Sequence, residues 1–255
     1  RWDFAVQVKG PLVDAIHMEA QAQWARLGKM NLVRRIKLYR KMRVVGKELA
    51  KNPVVAGFVV RDNLRNRRTI QRAYLQALGQ ARKSVMLANP YFAPGHKLRH
   101  ALAQAAQRGV DVVLLIGVGE FRMQDAVAHS FYPKLLAAGV KIVEYRKTQL
   151  HAKVAVVDDM WATVGSSNID PYSLLMAREA NVFVRDPHFA DQLRIELLQM
   201  IDTGTRHVEP ERWAERPLLV KAVTWIAYGV VRLGMGLMGY GGDEWFPRRR
   251  RRAGH

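Results

Sequence analysis

Between residues 57 and 206 the apolar positions alternate between two periods. Short β-branched or aliphatic runs at 58–61, 85–88, 110–116, 140–145, 154–157, 161–164 and 181–184 have the length and composition of strands. Between them, apolar side chains recur every three or four residues, as on one side of a helix. Ile70, Tyr74, Leu78 and Ala81 form one such series, with Asn66 as candidate cap, and Val127, Phe131 and Leu135 form another within 124–138. Residues 97–108 are a further helix, and in 188–200 Phe189, Leu193, Leu197 and Met200 are in register. Gly109 and Gly139 each close a helix just before a strand. Strand, helix, glycine, strand predicts an α/β sandwich with a largely parallel mixed sheet and helices on both faces.

The flanks follow other patterns. Residues 3–8 alternate as a short strand, Gly10-Pro11 stops them, and a helical pattern covers 12–27. From Arg26 to Lys51 ten basic residues stand against Glu48 alone, with Leu32, Ile36, Tyr39, Met42, Val45 and Leu49 at helical spacing. Such a basic amphipathic helix suits an anionic lipid surface, and equally a solvated connector. Residues 218–240 are apolar except for Lys221, Thr224 and Arg232. Lys221 and Arg232 lie nearly three turns apart and share a face, which favours a helix lying in the membrane interface over one that buries Arg232 in hydrocarbon. Gly229, Gly234, Gly236 and Gly239 leave open a broken or re-entrant hairpin, or a helix packed on the domain. Arg248 to Arg252 add a polybasic patch beside it, and two such signals together anchor a peripheral protein.

Composition narrows the choice of partner. The formal charge of +19 calls for a polyanion, either nucleic acid or an anionic membrane. The absence of cysteine rules out disulfides and thiolate metal sites. No signal-peptide pattern or long uncharged apolar span is expected at the start.

The strongest chemical signal is residues 150–168. Alternation along a strand puts His151 and Lys153 on one face, Asp158-Asp159 make a tight turn, and Ser166 and Asn168 return to the same end on the second arm. An imidazole can act as nucleophile or general acid at phosphorus while an ammonium, a hydroxyl and a carboxamide bind non-bridging oxygens. Such chemistry requires neither metal nor cofactor. Asn89-Pro90-Tyr91-Phe92, after a strand's C-terminal end, is a candidate pocket wall.

His151, Lys153, Asp158, Gly165, Ser166 and Asn168 reproduce His-x-Lys-x4-Asp-x6-Gly-Ser-x-Asn, and the chain thereby resembles the phospholipase D superfamily. The runs 169–175 and 177–182 are most similar to the bacterial cardiolipin synthases, in particular their B branch. The resemblance implies a phospholipase D-like α/β/α sandwich with His151, Lys153, Asp158 and Glu179 catalytic and Lys153, Ser166 and Asn168 binding phosphate. Glu179 would hydrogen-bond the second ring nitrogen of His151. The implied activity is phosphatidyl transfer from phosphatidylglycerol to a second phospholipid hydroxyl through a phosphohistidine. The alternative is a phosphodiesterase or nuclease acting as a homodimer. An anionic phospholipid membrane is the implied partner, with nucleic acid the weaker choice, and the implied location is the cytoplasmic side of the bacterial inner membrane.

Four segments follow from this reading. Residues 1–25 resemble the closing segment of a first catalytic half, 26–56 are a basic helical connector, 57–206 are the catalytic domain, and 207–255 are a membrane-associating helix with a polybasic tail. Only His151 among the eight histidines has lysine two and aspartate seven positions later. Since the family pairs two such motifs, the chain is expected to supply half a site. The other half is a covalent first half or a second copy of the chain, and the closing segment favours the first.

Overall fold

The computed structural model describes residues 1–27, 56–63 and 66–237. The basic connector expected at 26–56 and the tail beyond residue 237 fall almost wholly outside them. After helix α1 (Leu12–Leu27) the described chain runs β1 (Ala56–Arg61), α2 (Thr69–Gln80), β2 (Ser84–Asn89), α3 (His96–Gln107), β3 (Asp111–Gly117), α4 (Arg122–Ala137) and β4 (Lys141–Tyr145). It continues through β5 (Val154–Val157), β6 (Trp161–Gly165), α5 (Pro171–Leu175), β7 (Glu179–Arg185), α6 (Pro187–Gly204), β8 (Thr205–His207), α7 (Pro210–Ala214) and α8 (Leu218–Leu237).

The eight strands form one sheet in the order β1-β7-β6-β5-β2-β3-β4-β8. Its two faces are sorted by the period of the strands. In β5, Ala155 and Val157 join the core under α2, α3 and α4, whereas Val154 and Val156 join a second core under α6. Leu98 and Leu102 of α3 are fully buried in the first layer and Leu197 and Met200 of α6 in the second. Truncating any one of these would cost about 2–5 kcal/mol. The α/β/α sandwich is therefore as expected, but the pairing is less parallel than the pattern suggested. Only β2-β3 and β3-β4 pair in parallel, and the other junctions are antiparallel. Helical crossovers force parallel neighbours only where they join adjacent strands. Here the β5-β6 hairpin enters beside β2 and reverses the sense.

Two other expectations are corrected. Residues 3–8 form no strand: the segment is anchored by the single bridge between Trp2 and Leu150, and Trp2, Phe4 and Val6 pack on the second core. Asn66 does not cap α2, whose first turn follows Arg68. Its side chain is instead held by Asp62, and its carbonyl accepts from the Thr69 hydroxyl. Helix α8 continues through Gly229 without a break and packs antiparallel along α4, with the Phe131 and Tyr228 rings 5.2 Å apart. Because α4 leaves the C-terminal end of β3, the last turns of α8 point toward the same end of the sheet. No described helix is long and apolar enough to cross a membrane.

Candidate active site

The site is built where β5 begins and β6 ends. His151 precedes the β5 ladder rather than lying in it, and its register comes from the N-terminal segment. The amide of Trp2 donates to the carbonyl of Gln149 and the amide of His151 donates to the carbonyl of Trp2, each at 2.7 Å. This bridge lays Arg1 and Asp3 beside the imidazole. Asp3 Oδ2 stands 2.8 Å from His151 Nδ1 and 3.0 Å from Arg1 Nη2. Arg1 Nη2 is also 2.6 Å from Nδ1, and the two contacts compete. A guanidinium only donates, so bonding it to Nδ1 would turn the ring lone pair toward the Asp3 carboxylate. We assign the proton to Nδ1, donated to Asp3, with Arg1 held through the shared carboxylate. The Nε2 lone pair is then free, and no described residue hydrogen-bonds it. Burial raises the Asp3 pKa, but the hydrogen bonds from His151 and Arg1 outweigh it and hold the carboxyl below its ordinary value.

Lys153 lies almost fully buried beneath this pair, its Nζ donating to the carbonyl of His151 at 2.7 Å. Desolvation lowers its pKa, partly offset by Asp3, Glu179 and Asp170. The carbonyl of Lys153 accepts from Gly165 N at 3.1 Å, which closes the mouth of the hairpin. Gly165 must be glycine here because a Cβ would stand 2.2 Å from the Asn181 side chain. Ser166 follows: its hydroxyl donates to Glu179 Oε2 and accepts from Ala180 N. Asn168 lies two residues on, its amide oxygen buried without a hydrogen-bond partner.

Four of the six expected residues, His151, Lys153, Ser166 and Glu179, thus gather at one end of the sheet, and Asn168 lies in the loop that leaves Ser166. Asp158 is not brought to them. It occupies the far end of β5, about 17 Å from Lys153 by strand rise. There its carboxylate accepts from the backbone amides of Arg82, Lys83 and Ser84 at 2.7–3.0 Å. Asp158 and Asp159 both have positive φ, 52° and 53°, as a two-residue primed turn demands. The motif's aspartate thus ties the hairpin tip to the entry of β2.

Glu179 also differs from expectation. It begins β7 and bonds Ser166, and the carboxylate on the His151 ring is that of Asp3. Burial raises the Glu179 pKa, opposed by Ser166, Ser173, Lys153 and Arg61. Sequence spacing had no means of linking position 3 to position 151. Three further residues support the site, of which only Asn89 was singled out by sequence, as part of a pocket wall. Arg61, buried at the end of β1, faces Glu179 across the ladder and holds the Ala177 carbonyl. Asn89 Oδ1 receives the Ile169 amide at 3.1 Å and positions the 166–170 loop. Asp170 caps α5, and burial pushes its pKa up to about 6.

Residues 74–201 match the family model described as "Cardiolipin synthase, PLD-like domain". The chain is 37% identical over 241 residues to cardiolipin synthase B of Escherichia coli (strain K12), covering 93% of this chain and 57% of that protein. The chain belongs to the phospholipase D-like cardiolipin synthase family. Among solved structures, phosphatidylserine synthase of Haemophilus influenzae Rd KW20 superposes with a TM-score of 0.55 at 17% identity, over 83% of this chain and 56% of that one. Nuc from Salmonella typhimurium, a phospholipase D family member, superposes with a TM-score of 0.50 at 21% identity, over 60% and 97% respectively. These two likenesses establish the fold. The chain spans little more than half the length of the E. coli relative.

Proposed function

We propose that this chain provides one half of a phosphatidyltransferase site, which moves the phosphatidyl group of phosphatidylglycerol to the hydroxyl of a second phospholipid and releases glycerol. The observation that carries the reading is the His151 ring, held through Nδ1 by Asp3 with Nε2 open above a buried lysine. Two imidazoles share the work. One attacks phosphorus through its bare nitrogen while the P–O bond to glycerol breaks, and the other gives that oxygen its proton. The lipid hydroxyl then attacks the phosphohistidine, losing its proton to the second imidazole, and the first histidine leaves. His151 is one of this pair. Lys153, Ser166 and Asn168 meet the non-bridging oxygens, where charge accumulates in the transition state.

The second imidazole comes from another motif-bearing half, in the same polypeptide or in a second copy, because this sequence carries the motif once. Asp3 already orients His151, so Glu179, on Ser166 and beside Arg61, is left to orient that second ring. Helix α8 rests on an anionic bilayer. Eight large apolar side chains of this helix are 40–81% exposed, its last turns lead to the site end, and an arginine run follows in the sequence.

The test is product analysis with both halves present. Phosphatidylglycerol vesicles should yield cardiolipin and free glycerol, while single- or double-stranded DNA is left uncut. Cleavage of DNA without cardiolipin formation would replace this reading with a nuclease.

A further inference from the structure

Away from the site, α4, α7 and α8 enclose a groove of about 470 Å³, within the size range of small-molecule sites. Its walls are apolar, with Leu136 and Ala137 from α4 and Val220 and Trp225 from α8. Its polar lining is cationic or neutral: Arg216, Lys221, His129, Ser130 and Thr224 line it, and no aspartate or glutamate does. The guanidinium carbon of Arg216 sits over the Trp213 ring, 3.6 Å from its centroid. A stacked guanidinium is fixed in orientation and keeps its in-plane N–H donors available. The Arg216 side chain hydrogen-bonds to no other described residue.

We propose that this groove binds one anionic phospholipid, drawing an acyl chain out of the bilayer along Val220 and Trp225 and setting the phosphate against Arg216. Three observations select this occupant. Apolar walls ending in cations match an amphipathic anion. Val220 and Trp225 also belong to the exposed apolar face of α8, so the groove opens onto the surface that the proposed function lays on the membrane. The chain's own polybasic segments, 26–51 and 248–252, carry the wrong charge to fill it. The lipid so held is not the reacting one, because the groove lies on the outer layer of the sandwich beyond α4, away from His151. It acts as a clamp that adds a lipid-specific contact to the non-specific attraction of the basic surface. The proposal rests on the membrane part of the proposed function and not on the chemistry at His151.

The experiment is calorimetric titration of the full chain with short-chain diacyl phosphatidylglycerol below its micelle concentration. The variants are Ala137→Phe, which fills the groove from an exposed position, Arg216→Gln, and His151→Ala as a site control. Saturable one-to-one binding is expected for the wild type and for His151→Ala. It should be weakened at least tenfold in Ala137→Phe and Arg216→Gln, and at least tenfold for phosphatidylcholine of the same chain length. Circular dichroism establishes that the variants are folded. Three results would overturn the groove: no saturable binding, binding unaffected by Ala137→Phe, or a lipid-free dimer that Ala137→Phe turns into a monomer. Loss of binding in His151→Ala would place the lipid in the active site instead. If binding survives while α8 variants such as Ile226→Asp still pellet with vesicles, the groove stands and the membrane role of α8 falls.

Discussion

Among the described residues two histidines hold carboxylates at almost the same distance, and only one lies at the end of the sheet where the candidate site gathers. His151 Nδ1 stands 2.8 Å from Asp3, with the side chains 31% and 47% exposed. His129 Nε2 stands 2.9 Å from Glu144, at 14% and 2%, with Arg146 on the other carboxylate oxygen at 2.7 Å and the rings of Tyr132 and Trp213 edge-on to the imidazole. A histidine–carboxylate pair is thus not itself a site. What separates the two is access from solvent and a buried ammonium beside the ring that can meet a phosphate. In the α4 region the same pair satisfies a buried acid and fastens α4 to β4.

Breaking the buried pair should have the largest effect on folding. Glu144→Ala leaves the buried His129 without its hydrogen-bond partner and releases the half-exposed Arg146, and should cost about 1–3 kcal/mol in urea unfolding, with turnover per folded molecule unchanged. Burial raises the Glu144 pKa, but His129 and Arg146 outweigh it and bring it to about 2, below the ordinary 4.5. The contribution of Glu144 is therefore complete above pH 4.5 and is lost as pH falls toward 2.

Asp3→Asn sharpens the contrast from the other side. It should lower turnover about 10- to 100-fold, through loss of ring orientation, and move the unfolding midpoint by no more than about 2 °C, since the pair is half exposed. Because the Asp3 carboxyl is held below its ordinary value by His151 and Arg1, it stays ionised as pH falls from neutral into mild acid, and the wild-type rate should lose its Asp3 contribution only below the ordinary carboxylate range. A large stability loss without a rate effect would make Asp3 a second Glu144.

The smallest expected effect is at Asp170. Its folded pKa of about 6 lies above the ordinary 3.8, so the ionised form is disfavoured on folding and stability falls as pH rises from 3.8 through 6. Asp170→Asn keeps a good capping residue and removes the buried charge. It should flatten that pH dependence, with stability at pH 8 equal to or slightly above the wild type in thermal unfolding.

The strands, the long helices and the hairpin carrying the motif were legible because each has a strong local period. The hairpin turn fell at Asp158-Asp159 as read, and Gly109 and Gly139 stop their helices at positive φ. Pairing was less legible. An apolar run says that a segment is a strand, not which strand lies beside it, so the antiparallel junctions other than the β5-β6 hairpin, and the short β8, went unread. At the site, His151, Lys153 and Ser166 were legible from alternation. The exchange of Glu179 for Asp3 was not, since it depends on the Trp2–Leu150 bridge, a contact across almost 150 residues. Asp158 shows the converse: a residue can be fixed within a motif because three backbone amides need an acceptor, not because the chemistry needs it.

The claim on which the account depends most is that the imidazole of His151 meets phosphorus. It is tested by the rate of cardiolipin formation from phosphatidylglycerol vesicles, measured for wild type and His151→Ala with both motif-bearing halves present and normalised to folded protein. The account predicts a loss of about 10²- to 10⁴-fold, with vesicle binding and the unfolding midpoint retained. Turnover of the variant at near the wild-type rate would contradict it.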